Sequence, residues 1–178
     1  MRKVVAYELV SLDGVAEHPD EFISEWDAAM DENLGSVIAT QDAVLLGRRT
    51  YDEWAAFWPG SAIEPFASFI NGVKKFVATS TPPASGWSNA TFIDGDLAAF
   101  VTALRLEPGG DIGVHGSIAL LQSLLELGLV DELRLVVAPV LHVRGRRLFE
   151  RGLARRLALA RCVASPSGSL LLDYVIGD

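Results

Sequence analysis

One cysteine, Cys162, stands among 178 residues, so no intrachain disulfide can form, and a reducing compartment, the cytoplasm, is the simple expectation. Long apolar runs are also missing. The N-terminal stretch VVAYELV is broken by Glu8 and followed by no small-residue cleavage site, so neither a membrane span nor an export signal is expected. Histidine is scarce. His18, His115 and His142 share no ligand spacing with one another or with Cys162, which leaves no basis for a metal site. Basic charge is outweighed: 15 Lys and Arg against 23 Asp and Glu give a net charge of -8, which repels a phosphate polymer and argues against general nucleic-acid binding. Several catalytic signatures are absent as well, namely the Gly-x-Ser-x-Gly elbow, the Walker loop, the zinc-deaminase signature and a Gly-x-Gly-x-x-Gly after the first strand.

What is present is apolar substance. Hydrophobic residues make up 50% of the chain, enough for a single domain over residues 1–178 with a substantial core. Charge is spread unevenly. Arg144, Arg146, Arg147, Arg151, Arg155, Arg156 and Arg161 fall in one stretch whose only acid is Glu150, while acids cluster from Glu17 to Glu32. A solvated surface, or a subunit contact between patches of opposite sign, accounts for this better than a dedicated anion site.

Apolar periodicity predicts a buried strand over residues 3–10, a loop at Ser11 to Gly14 and an amphipathic helix over residues 20–40. Further strands are expected at 43–46, 75–79, around Phe92, and at 112–115, 133–140, 157–164 and 170–176. Further helices are expected after Gly47 as far as Pro59, and over 64–71, 96–106 and 117–127, with Gly72 and Gly128 as stops. The segment Ser80-Thr81-Pro82-Pro83 breaks the third strand. Strands alternating with helices, then a run of strands, imply an α/β fold with a mixed sheet covered by helices on both faces.

Two segments carry the chemistry: AVLLGRRTYDEW (Ala43 to Trp54) and DIGVHGSIALLQSLLELGLVDELRLVVAPV (Asp111 to Val140). Each reads as a strand running through a glycine turn into a helix, so each aims backbone N–H groups and a positive helix end at one place. Two such ends suit one large anion. Arg48, Arg49 and Thr50 add guanidinium and hydroxyl donors that match phosphate oxygens. Asp27 and Asp31, four residues apart, are expected on one helix face beside the Trp26, Met30 and Leu34 stripe. There a partly desolvated carboxyl could donate a proton. Their acidic surroundings favour a plain solvated face, with the proton-donor role as the alternative. Asp13 is a further acid, and its place before Gly14 equally suits a turn.

Together GRRTYDEW, SLDGV (Ser11 to Val15), HGSIALLQSLLELGLVDEL and APVLHVRGRRLF (Ala138 to Phe149) resemble the dihydrofolate reductase-like superfamily. Within it the chain is most similar to stand-alone relatives of the reductase domain of the bifunctional riboflavin-biosynthesis deaminase/reductase. The resemblance implies a three-layer fold with a mostly parallel sheet, NADPH as cofactor and a homodimer. It also implies hydride transfer to a small heterocyclic or carbonyl-like substrate, as in a pyrimidine reductase of riboflavin biosynthesis. Carried over residue by residue, it places Gly47, Arg48, Arg49 and Thr50 at the cofactor phosphates, and Thr79, Ser80 and Thr81 around the 2′-phosphate. His115, Gly116, Ser117 and Ile118 fall at the pyrophosphate and nicotinamide, and Ala6 and Val15 beside the nicotinamide. It also puts Asp31 where the folate enzymes carry their substrate acid. His115-Gly116 replaces the paired glycines of those enzymes. His115 is read as a strand-end residue, with a hydrogen bond to a cofactor phosphate as the alternative. The competing function is a homodimeric nucleotide-binding protein that keeps the fold without turnover.

Overall fold

The computed structural model describes residues 1–81, 83, 86–150 and 154–177. Pro82 of the strand-breaking segment and Arg151 of the basic stretch lie outside the described residues. The strands are β1 (Val4–Ser11), β2 (Gln41–Gly47), β3 (Lys74–Ala78), β4 (Ala90–Ile93), β5 (Asp111–His115), β6 (Glu132–Ala138), β7 (Ala158–Ala164) and β8 (Leu170–Val175). They form one eight-stranded sheet in the order β4-β3-β2-β5-β1-β6-β8-β7. From β4 to β6 every neighbouring pair is parallel, and β8 and β7 add on antiparallel.

Among the described residues, five helices cover this sheet: α1 (Ala28–Ile38), α2 (Arg48–Phe57), α3 (Phe66–Gly72), α4 (Leu97–Leu106) and α5 (Ile118–Glu126). Because strand side chains alternate, Leu45 of β2 joins one core with Val4, Ala6, Ile112 and Val114, under Val101 and Leu104 of α4 and Leu121 and Leu124 of α5. Its neighbours Val44 and Leu46 point the other way, to Met30, Leu34 and Val37 of α1, Tyr51 of α2 and Phe66 and Ile70 of α3. The result is a three-layer α/β fold with a mostly parallel sheet between helices. Helix α5 stops at Gly128, whose φ of +68° is the left-handed conformation that suits glycine. Among the described residues, no helix is long and apolar enough to cross a membrane.

The helix expected over residues 20–40 is the main correction. A short 3-10 turn spans Pro19–Glu21, and α1 begins only at Ala28. Asp27 has an extended backbone, and its carboxylate accepts a hydrogen bond from the Met30 N–H, so it caps α1 instead of lying within it. Phe22 leaves the helical stripe to pack with Val15 and Ala138.

Candidate functional site

Parallel strands bring their carboxyl ends to one edge of the sheet, the usual place for ligands in such folds. At this edge the ends of β2 and β5 turn into α2 and α5, and the two turns are joined. The Gly47 N–H donates to Ser117 Oγ at 3.0 Å, and Thr50 Oγ1 donates to the Gly116 carbonyl at 3.0 Å. The Ser117 hydroxyl therefore makes no cap bond to its own helix and serves as a joint between helices. Thr50 likewise spends its proton on Gly116, which corrects its expected role as a phosphate donor. The free N–H groups of the first turns of α2 and α5 then share one end of the sheet.

Gly116 sits at φ +59° with the Trp54 ring against it, and a Cβ there would lie 2.8 Å from that ring. No larger residue fits without displacing the indole.

Arg48 extends the site towards β3. One of its terminal nitrogens donates to the Thr81 carbonyl at 2.6 Å and Thr81 Oγ1 at 3.1 Å, and reaches Thr79 Oγ1 at 3.5 Å. Its Nε donates to Asp52 Oδ2 at 2.6 Å, one turn along α2. Arg48, Thr79 and Thr81 thus converge, with Ser80 exposed between the two threonines. Arg49 points elsewhere: it is 65% exposed and lies 3.5 Å from Glu17, which also takes the Arg146 Nε–H at 3.0 Å.

Three residues expected to touch a cofactor are core instead. Ala6 and Val15 are fully buried, Ala6 beneath α5 and Val15 against Phe22, so neither side chain reaches the surface. His115 is 2% exposed, with its ring between Tyr7, Phe66 and Phe69 and its Nε2 at 2.7 Å from Gln41 Oε1. Burial holds its pKa down to about 3, so it stays neutral and cannot pair with a phosphate. Strand alternation is the cause, because it turns His115 onto the α1 and α3 face. Ile118, at the first position of α5, is also buried.

The acids resolve similarly. Asp27 accepts from the Ser167 N–H at 2.9 Å as well as from Met30, and these bonds lower its pKa to about 2. It is an ionised cap, not a proton donor. Asp31 is exposed and accepts from Trp26 Nε1 at 2.6 Å, which agrees with the solvated face favoured for it over the desolvated alternative. Asp13 accepts from Ser11 Oγ and from the His142 and Val143 N–H groups, and its pKa falls to about 2. It pins the loop after β1 to the segment that follows β6.

The basic stretch finds partners within the chain. Arg146 meets Glu17, Arg147 meets Asp13, and Arg161 donates to Asn33 Oδ1 at 2.8 Å.

Sequence reading passed over Glu8. Register pairs Tyr7 with His115, so Glu8 lies level with the Gly116 turn. It is 2% exposed, its Oε1 has no hydrogen-bond partner, and burial pushes its pKa up to about 8 against the pull of the Gly116 and Ser117 N–H groups. A lone acid inside the apolar run VVAYELV was the available signal, legible there only as a break in hydrophobicity.

This dihydrofolate reductase-like architecture also appears in comparisons with known proteins. The RibD C-terminal domain family matches residues 2–171, and the chain belongs to that family. Over 154 residues it is 29% identical to the uncharacterized protein YyaP of Bacillus subtilis (strain 168), covering 83% of this chain and 80% of that one. A protein ascribed to riboflavin biosynthesis from Shewanella sp. PV-4 superposes with a TM-score of 0.82 at 16% identity, covering 99% of both chains. Dihydrofolate reductase from Enterococcus faecalis, complexed with NADP(H), superposes with a TM-score of 0.68 at 14% identity, covering 99% of this chain and 97% of that one. The last two likenesses establish a shared fold.

Proposed function

We propose that the chain is a reductase that uses NADPH to reduce a small heterocyclic or carbonyl-like substrate, with a pyrimidine of riboflavin biosynthesis as the first candidate. The observation that carries this reading is the union of the α2 and α5 N-termini through Gly47–Ser117 and Thr50–Gly116. Two positive helix ends held side by side suit a pyrophosphate, and Arg48 with Thr79 and Thr81 suits a further phosphate on the β3 side. The residues present therefore fit a phosphorylated dinucleotide, the group complexed with the Enterococcus faecalis enzyme.

When bound, reduced nicotinamide supplies the hydride. In this reading the first-turn N–H groups of α2 and α5 hold the pyrophosphate, and Arg48 and Ser80 favour the 2′-phosphate. Trp54, seated on Gly116, packs the α2 side of this turn. Asp13 and Asp27 are ionised and Asp31 is exposed, so none of these three is held as a buried proton donor.

That same lack of a buried acid among Asp13, Asp27 and Asp31 favours a second reading, a dinucleotide-binding protein without turnover. Loss of nicotinamide absorbance, followed with NADPH and a panel of pyrimidine, pterin and carbonyl substrates, tests both. The reductase reading expects substrate-dependent loss. Saturable NADPH binding with no loss across the panel supports the second reading, and no binding refutes both.

We also infer a homodimer. All of β7 is exposed at the sheet edge, with Leu159 at 56% and Val163 at 37% exposure. An unpaired edge with apolar side chains is a natural seat for a second copy.

A further inference from the structure

Glu8 takes no part in the reading above, yet it lies directly behind the site. Among the described residues, its neighbours leave it without a counter-charge. Leu135 of β6 stands opposite it in register, and His115 of β5 turns to the other face of the sheet. Ile118 and Leu121 of α5 are core residues, and the only acid or base on that helix is Glu126 at its last position. Arg134 and Glu132 of β6 pair with each other, and Arg48 and Arg49 of α2 are engaged by Asp52 and Glu17. The polar groups that act on the carboxyl are the Gly116 and Ser117 N–H groups, where β5 turns into α5. One oxygen, Oε1, is buried with no partner at all.

An ionised carboxylate here is a negative charge of the protein's own, set at the helix end where a pyrophosphate would be bound. It would draw on the Gly116 and Ser117 N–H groups that adjoin the first turn of α5 and repel an incoming anion. The uncharged acid does neither, and as a hydrogen-bond acceptor it still supports the turn.

Building on the dinucleotide reading, we propose that Glu8 is a positioning residue of that site. Its uncharged carboxyl backs the Gly116–Ser117 turn and leaves the joined ends of α2 and α5 open to an anion, whereas its ionised form occupies them electrostatically. Anion binding and ionisation of Glu8 therefore exclude one another. Burial sets the crossover at about pH 8, and binding an anion above that pH draws a proton onto the carboxyl.

The experiment is NADPH affinity from pH 6 to pH 10, by calorimetry or fluorescence, for the native chain and Glu8→Gln. Gln keeps the size and an acceptor oxygen but cannot ionise. In the native chain affinity should hold up to about pH 8 and fall about tenfold per further unit, while Glu8→Gln should lose that fall. Lys75, which burial also brings to about 8, is common to both proteins, so the difference between the profiles isolates Glu8. A carbon-13 titration of the Glu8 carboxyl in the native chain gives a second readout, with NADPH expected to move its midpoint upwards. Parallel pH profiles in the two proteins, or a midpoint that NADPH leaves in place, overturn the role of Glu8 alone. No NADPH binding at any pH overturns the dinucleotide reading, and the proposal with it.

Discussion

Arg48 is one-third exposed and tied at both ends of its guanidinium, to Asp52 on its own helix and to Thr81 beyond β3. Such a side chain is already oriented before a ligand arrives. Replacing it by Ala should weaken NADPH binding by about 1.5–3 kcal/mol, a loss of roughly ten- to a hundredfold. Arg49 is more exposed and solvent-screened, so Arg49→Ala should cost only a few-fold. Unchanged affinity in both variants, measured by titration calorimetry, would remove the arginines from the site. Two buried groups on either side of the sheet contribute to the pH response of stability. Glu8 rises from 4.5 to about 8, so its stabilising contribution is complete below pH 4.5 and is lost as pH climbs to about 8. His115 drops from 6.5 to about 3, so its contribution is complete above pH 6.5 and is lost as pH falls towards 3. The stability of Glu8→Gln relative to the native chain should therefore grow across pH 4.5–8, by about 5 kcal/mol in all, and then level off. Urea denaturation at stepped pH measures this, and a constant difference would show that Glu8 ionises as freely in the fold as out of it.

Among the elements, α1 shows how a single capping residue moves a boundary. Hydrophobic spacing alone carries the helical pattern back to Phe22, because Phe22, Ile23, Trp26 and Met30 recur at helical intervals. Asp27 stops it by offering its carboxylate to the Met30 N–H, and Ser167, in the turn between β7 and β8, clamps the other carboxylate oxygen. The second contact spans most of the chain and has no local trace. Asp27→Ala should destabilise the fold by about 1–2 kcal/mol, read as a lower urea midpoint with an unchanged slope, and should leave NADPH affinity intact. A drop in affinity without loss of stability would return Asp27 to the site. The α2 and α5 junctions were legible because strand, glycine turn and helix each leave a local pattern. Their cross-links were not, since Ser117 facing Gly47 and Thr50 facing Gly116 are products of strand order.

For the whole molecule, alternation of strands and helices was enough to imply a mixed sheet with helices on both faces. Strand order and the burial of particular side chains were not. The family resemblance places His115, Ala6 and Val15 at the site, and strand alternation and packing turn each of these side chains inward. The basic stretch read as a solvated surface or a subunit contact, and Arg146, Arg147 and Arg161 keep their side chains substantially exposed while also tying the C-terminal half to the loop after β1 and to α1. The exposed β7 edge belongs to this scale too. Sedimentation should give twice the monomer mass, and Val163→Lys, which places a charge on that edge, should return the monomer. A native monomer at micromolar concentration would contradict the dimer. If two junctions far apart in sequence grip one dinucleotide, amide NMR during an NADPH titration should report both at once. The N–H signals of Arg48, Arg49 and Thr50 and those of Ile118, Ala119 and Leu120 should shift together along one saturation curve. Movement at only one junction, or two separate curves, would contradict a shared site.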